Sequence, residues 1–206
     1  MANRQSSGYG LKPVNTLGNT PATSGQSKYW IKAAHGTAIY NGEPVTLIVH
    51  ASSGTGGWVQ GAAGDSTTLI IGVFNGCFFN ASTTLKPTWS NSYVASTTPA
   101  NSENIVAFVN DNPFQEYQAA LDAAVSATAN TVQAIYGQVI DTTASAESVN
   151  GRSSATLDFT SNMATTGKQW RLLRSAEDPD NQDFNAAYAN VIVVSNNKYQ
   201  AFVVGV

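Results

Sequence analysis

Short runs of β-branched and aromatic residues, each ended by a turn signal, recur from residue 38 onward and dominate the sequence. The runs AIYNGEPVTLIVH and TTLIIGVFNGCFFN carry Asn-Gly at 41–42 and 75–76, the strongest short signal for a β-hairpin. The same pattern recurs in seven further runs, namely KPTWSNSYVA, NIVAFVND, PFQEYQAAL, SSATLDF, QWRLLRSA, ANVIVVSNN and YQAFVVGV. It predicts an all-β barrel or sandwich.

One alanine-rich stretch, residues 117–135, interrupts the pattern. Its alanines favour helix, but Thr and Asn break the apolar i, i+3, i+4 stripe after two turns. The sequence therefore predicts a strand, one or two helical turns near 122–129 and a strand over 132–140, with at most one short helix in the chain. It also leaves open a β domain over 32–130 and a second β lobe, or a continuation of the same domain, over 131–206.

The chain has an unusually low charge content of 11%, against about 25% in an average soluble domain. A surface with few charges loses little free energy when a partner covers it, because few ions must be desolvated. Cys77 is the only cysteine, and residues 1–31 hold no apolar core of a signal peptide. We therefore expect a soluble protein without an internal disulfide, made in a cytoplasm and not bound to a membrane.

The N-terminal residues 1–31 lack the apolar period of a strand or a helix and bury too little surface alone to offset the entropy of ordering them. The first 42 residues carry four basic residues and no acid, whereas the remainder carries six bases and thirteen acids. This asymmetry predicts an extended N-terminal arm that is ordered by lying on a neighbouring copy or an acidic surface. Four dispersed charges are too few for a nucleic-acid footprint, so no nucleic-acid partner is expected.

Few residues suggest catalysis. His35 and His50 are the only histidines and have no metal-binding spacing. Cys77 lies in FNGCFF, where burial among aromatic residues makes a thiol inert. These observations predict polar loop or strand-end histidines, a packed core thiol and no hydrolase.

One acidic loop, SAEDPDNQDFN, supplies the candidate metal ligands Glu177, Asp178, Asp180 and Asp183. Their spacing does not match an EF-hand loop, so an Asx-rich turn, in which Asp178 and Asn181 accept backbone N–H bonds, is the preferred interpretation. A carboxylate–guanidinium network with the nearby Arg171 and Arg174 is a third possibility. No metal is therefore predicted.

Seven phrases carry a resemblance that spans nearly the whole chain: GQSKYWI, IYNGEPV, GVFNGCFF, KPTWSN, AFVNDNPFQEYQ, NGRSSATLDF and RLLRSAEDPDNQDFNAAYANVIVVSNN. Together they resemble a group of tailed-bacteriophage virion proteins, notably from marine phages, described as structural, decoration or cement proteins. The resemblance implies a β-rich capsid accessory protein, made in the host cytoplasm and located on the capsid surface of the virion. It implies no catalytic residue and no cofactor.

The resulting hypothesis is a non-enzymatic capsid decoration protein that binds the assembled shell and stabilises it by mass action over many sites. Its partners would be the major capsid protein and neighbouring copies of itself, as a dimer or a trimer. The N-terminal arm would bind the shell through basic side chains and apolar anchors: Arg4, Lys12, Lys28 and Lys32, with Tyr9, Leu11, Val14, Leu17, Tyr29 and Trp30.

Three alternatives stay open. A tail, collar or host-binding β protein would use aromatic side chains to stack on sugars, for which the chain offers Trp30, Trp58, Trp89 and Trp170. A glycan-active enzyme would need two carboxylates across a cleft, drawn from residues dispersed in the sequence: Glu43, Asp65, Glu103, Asp111 and Glu116. The major capsid protein itself would be longer and would carry a long amphipathic helix.

Overall fold

Twelve strands and one 3-10 turn make up the regular structure of the part of the chain that the structure describes. The computed structural model describes residues 3–18, 20–21, 25–48, 57–65, 68–125, 135–147, 150–160 and 163–196. The strands are β1 (Lys12–Thr16), β2 (Thr20–Pro21), β3 (Ser27–Ile31), β4 (Pro44–Ile48), β5 (Trp58–Gly61), β6 (Gly72–Asn80), β7 (Pro87–Ser90), β8 (Ile105–Asn110), β9 (Gln115–Ala120), β10 (Val139–Ile140), β11 (Trp170–Ser175) and β12 (Asn190–Ser195).

Five strands close into a barrel in the order β4-β5-β3-β8-β6, because β6 pairs back with β4 at Val73 and Gly72. The β3–β5 pair is parallel and the other pairs are antiparallel. A closed ring with an odd number of strands cannot be antiparallel throughout, so a parallel pair is required. Inward-facing residues at alternate positions, among them Ile31, Ile105 and Cys77, form the barrel core. β7 pairs with the second half of β6.

The other six strands form an antiparallel sheet in the order β10-β11-β12-β9-β1-β2. Its inner face packs on the barrel through Tyr117 and Trp170, which join Ile70 and Val73 in one buried cluster. The rings of Tyr117 and Trp170 meet edge to face, with centroids 5.4 Å apart. This shared core joins the two sheets.

A buried amide also links the barrel to the second sheet. Gln169 is fully buried, and its Nε2 donates hydrogen bonds to the carbonyl groups of Ala62, at 2.8 Å, and Asp65. Thr142 Oγ1 donates to Gln169 Oε1 at 3.2 Å. Both ends of the side chain are therefore satisfied, as a buried polar group requires.

The all-β prediction is confirmed, since the described residues contain one helical turn of three residues, Ala100–Ser102. The helical turns predicted near 122–129 do not form at 122–125, and 126–129 lie outside the described residues. In the strand predicted over 132–140, only Val139–Ile140 pairs, while 132–134 lie outside the described part. The run YQAFVVGV lies outside it entirely.

The two sheets interleave along the sequence. β1 and β9 join the second sheet although the barrel strands lie between them, whereas β3, inside the predicted arm of residues 1–31, is a barrel strand. The predicted boundary at 31/32 therefore falls at the end of a barrel strand. The boundary at 130/131 lies outside the described residues.

The N-terminal segment lies on its own chain. β1 pairs with β9, and Leu11 is 2% exposed within the core that the two sheets share. A Cβ atom at Gly8 would collide with the carbonyl oxygen of Ser154, and one at Gly10 would lie 2.6 Å from that of Gly42. Glycine at both positions lets the backbone come this close.

Polar contacts hold the first described residues as well. The side-chain amide of Asn3 donates to the carbonyl groups of Asp183, at 2.9 Å, and Ala187, at 2.8 Å. The backbone N–H of Gln5 donates to Asn181 Oδ1 at 2.8 Å. The expectation that only a second molecule orders this segment is therefore wrong for residues 3–16. The sequence shows no strand period there because the paired strand is short and carries Pro13.

Candidate functional site

Three exposed aromatic side chains, Trp30, Phe78 and Trp89, lie together on the outer face of the barrel. Trp30 on β3 is opposite Val106 on β8, Val106 is opposite Phe78 on β6, and Phe78 is opposite Trp89 on β7. Residues in register on paired strands share a face, so these side chains form a row across four strands. Together with Phe108 we call them the aromatic face.

The aromatic face is open to solvent but held in place. Trp89 is 51% exposed, Trp30 40% and Phe78 39%. The ring of Trp89 packs against Phe108 with centroids 5.1 Å apart. A Cβ at Gly76 would lie 2.7 Å from the Trp89 ring, so glycine leaves the space in which the indole lies. A large aromatic surface fixed by packing costs little entropy when a partner covers it.

Lysines flank the aromatic face. Lys28 is opposite Phe108, and Lys32 follows the end of β3. Lys86 precedes β7. All three are exposed, and none forms an ion pair with a described residue. The surface therefore combines apolar area with positive charge.

The predicted arm residues divide between this surface and the fold. Lys28, Trp30 and Lys32 lie on or beside the aromatic face. The other seven lie elsewhere, in contacts within the chain's own fold. Arg4 forms an ion pair with Asp180, and the Tyr9 hydroxyl donates a hydrogen bond to Asn190. Leu11 lies in the core, and Lys12 and Val14 lie on β1. Leu17 donates its backbone N–H to the carbonyl of Phe114, and the Tyr29 hydroxyl donates to Asp111.

Phe78 was not among the predicted site residues, and Trp89 was named only as one of four tryptophans that could stack on sugars. The signal that could identify them is local alternation: Phe78 follows the buried Cys77 on β6, and Trp89 is exposed between the half-buried Thr88 and Ser90 on β7. Trp58 and Trp170 are buried, so only two of the four tryptophans present a ring to solvent.

The acidic loop holds the N-terminal segment. Asp178 accepts hydrogen bonds from the backbone N–H of Asp180, at 3.1 Å, and from the side-chain amides of Asn181 and Asn190. These bonds hold the pKa of Asp178 below its ordinary value. Asp178 bonds within the loop as predicted for an Asx-rich turn, whereas Asn181 Oδ1 accepts the N–H of Gln5 in the N-terminal segment.

The other three candidate ligands are not gathered around one point. Asp180 pairs with Arg4 at 3.3 Å, Asp183 accepts the backbone N–H of Asn185, and Glu177 is exposed. No group of three or more potential metal ligands occurs within the described ranges.

Most of the remaining chemical groups are occupied by structural contacts, although the buried His35 Nε2 has no hydrogen-bond partner among the described residues. Cys77 is fully buried and its pKa is raised to about 12 by desolvation, as predicted for a core thiol. Burial lowers the pKa of His35, whose carbonyl accepts a hydrogen bond from Tyr93. Asp111 accepts from Tyr29 and Glu116 from Arg174. His50 lies outside the described residues.

Glu43 makes folding stability depend on pH. Its carboxyl group is buried against Gly61 and accepts the N–H of Tyr40, and desolvation raises its pKa to about 7. The folded state therefore favours the protonated carboxyl group. As a result, part of the free energy of unfolding that is present below pH 4.5 is lost as the pH rises towards 7. We expect Glu43→Gln to unfold like the wild type at about pH 4.5 but to be more stable at about pH 8 by on the order of 2 kcal/mol.

Chemical denaturation of both proteins at the two pH values measures this difference. A wild-type protein that is as stable as the variant in the alkaline buffer would show that water reaches the Glu43 carboxylate in the folded state.

Comparison with known proteins adds no relative: no family model, curated protein or solved structure matches this chain. No helix in the described ranges has the length and hydropathy of a membrane span.

Proposed function

We propose that this chain is a non-enzymatic structural protein of a tailed-phage virion that decorates the capsid shell and binds it through the aromatic face. The aromatic face carries this proposal, because monomeric soluble proteins rarely leave a connected row of large apolar side chains in water. The sequence resemblance supplies the class of partner. The low charge content and the three flanking lysines favour an apolar partner surface with acidic groups at its rim.

The geometry fits the way in which interfaces obtain affinity. Tryptophan is among the residues that most often contribute about 2 kcal/mol or more to binding at an interface. Trp30 and Trp89 lie at the two ends of the row, with Phe78 and Val106 between them. Even modest affinity per copy stabilises a shell, because the assembled state alone offers the sites and offers them many times.

The N-terminal segment takes a different part in this proposal from that first expected. Residues 3–16 complete the protein's own second sheet, so they support the fold rather than bridge to the shell. Only the end of the predicted arm, Lys28 to Lys32, contributes to the binding surface.

The test compares two exposed aromatic residues on different surfaces. We expect Trp89→Ser to weaken retention on expanded shells of the co-encoded major capsid protein by about tenfold or more. Phe114→Ser is the matched control, because Phe114 is similarly exposed, at 57%, but precedes β9 in the other sheet. Co-sedimentation measures occupancy, and thermal melting checks that both variants fold.

Equal retention of the two variants would reject the aromatic face as the binding surface. Failure of the wild-type chain to bind any shell, with the aromatic face instead joining copies in solution, would reject the decoration function.

A further inference from the structure

A cleft opens where the barrel meets the second sheet. It has a volume of about 170 Å³ and is walled by β1, the 41–42 turn and the ends of β6 and β8. Cavities that hold drug-sized ligands measure about 300–1,000 Å³. This cleft therefore admits a ligand of one small ring.

The cleft is electropositive. Lys12 and Arg152 line it, and no acidic residue does among those that the structure describes. Arg152 is exposed and forms no ion pair or side-chain hydrogen bond with the described residues. Asp178 lines a neighbouring groove together with Lys12 and Arg152 but forms an ion pair with neither, so the Arg152 guanidinium is available to a ligand. An arginine fork binds a carboxylate with two parallel hydrogen bonds.

Amides supply the other polar groups. Asn110 is only 5% exposed and lines the cleft, and among the described residues its side-chain amide has no hydrogen-bond partner. This amide is therefore left to bond to water or to a ligand in the cleft. The Nδ2 group of Asn41 donates to Asn75 Oδ1 at 3.1 Å, which leaves Asn75 Nδ2 to donate and Asn41 Oδ1 to accept. Paired donors and acceptors of this kind suit neighbouring hydroxyl groups.

We propose that this cleft binds an acidic sugar, a pyranose ring that carries a carboxylate. Arg152 holds the carboxylate, the amides of Asn41, Asn75 and Asn110 bond to ring hydroxyl groups, and the half-buried Tyr9 ring presents apolar surface to the C–H groups of the sugar. An adjoining groove shares Asn41 and Arg152 with the cleft, so a bound ring can be the end of a longer chain. The proposal does not depend on capsid binding.

The experiment uses the full chain and calorimetric titration with glucuronate. We expect the wild type to bind glucuronate saturably and to bind glucose about tenfold or more weakly than glucuronate. Arg152→Gln should bind glucuronate about as weakly as the wild type binds glucose. Arg4→Gln is the control, because Arg4 is also exposed but lies at the acidic loop. Melting temperatures verify that both variants fold.

Two further probes identify the source of the ligand and its chemistry. Tighter binding of a triuronate than of glucuronate supports a polysaccharide end in the adjoining groove, whereas equal binding supports the free sugar. Inorganic phosphate that binds as tightly as glucuronate would overturn the sugar assignment. No glucuronate binding in the millimolar range, or equal binding by the Arg152 and Arg4 variants, would overturn the site itself and leave the shell-binding test unaffected.

Discussion

Replacing Leu11 with alanine should lower the free energy of unfolding by about 3 kcal/mol. The side chain is almost fully buried in the core shared by the two sheets, where it packs with Val73 and Tyr117. Its removal loses the transfer free energy of the apolar atoms and leaves a cavity between the sheets. Urea denaturation of the isolated protein, without any partner present, measures the effect.

Leu17→Ala is the control within the same segment, because Leu17 is 42% exposed and should cost less than about 1 kcal/mol. This comparison separates two roles for the N-terminal residues. If the isolated protein tolerated Leu11→Ala as well as Leu17→Ala, the segment would contribute nothing to the fold, and its role as a partner-binding arm would be restored.

Arg174→Met should also destabilise the protein strongly, by about 3 kcal/mol. Arg174 forms a two-pronged ion pair with Glu116, at 2.6 Å and 3.2 Å, and the Glu116 side chain is only 3% exposed. Because Met cannot neutralise the carboxylate, the variant leaves a buried negative charge without a partner. Differential scanning calorimetry and chemical denaturation both detect a loss of this size.

Arg4→Met is the matched control, since Arg4 and Asp180 form an ion pair in solvent that should contribute less than about 0.5 kcal/mol. Adding Glu116→Gln to Arg174→Met removes the buried charge and should recover a large part of the loss. A single Arg174 variant as stable as the Arg4 variant would indicate that water enters and hydrates Glu116.

Local pattern in the sequence was sufficient to predict most strands. The runs that became β6, β8 and β12 are rich in β-branched and aromatic residues, although the Asn75-Gly76 hairpin signal proved to lie inside β6, at an irregularity in its pairing with β8. The Asx-rich turn was also predictable, because Asp178 and its neighbours satisfy backbone groups within a few residues. The buried Cys77 followed from its aromatic surroundings.

Contacts between distant residues were not predictable from local pattern. β1 has only five residues, and its partner β9 lies about one hundred residues away, so no periodicity reports the pairing. The run SSATLDF was predicted to be a strand, but its Leu157 forms isolated bridges with Leu121 and Thr142 instead of a ladder. The aromatic face and the cleft both depend on strand order, which the sequence pattern leaves open.

The position of β9 between β1 and β12 sets the order in which the chain can fold. All strands of the barrel precede residue 111, so they are available early in synthesis. β9 then has β1 on one side, but its other edge stays unpaired until residues 190–195 leave the ribosome. An unpaired edge is a template for aggregation. A ribosome that pauses on the mRNA before residues 190–195 emerge would therefore hold the nascent chain with the β9 edge unpaired, the form most prone to aggregate.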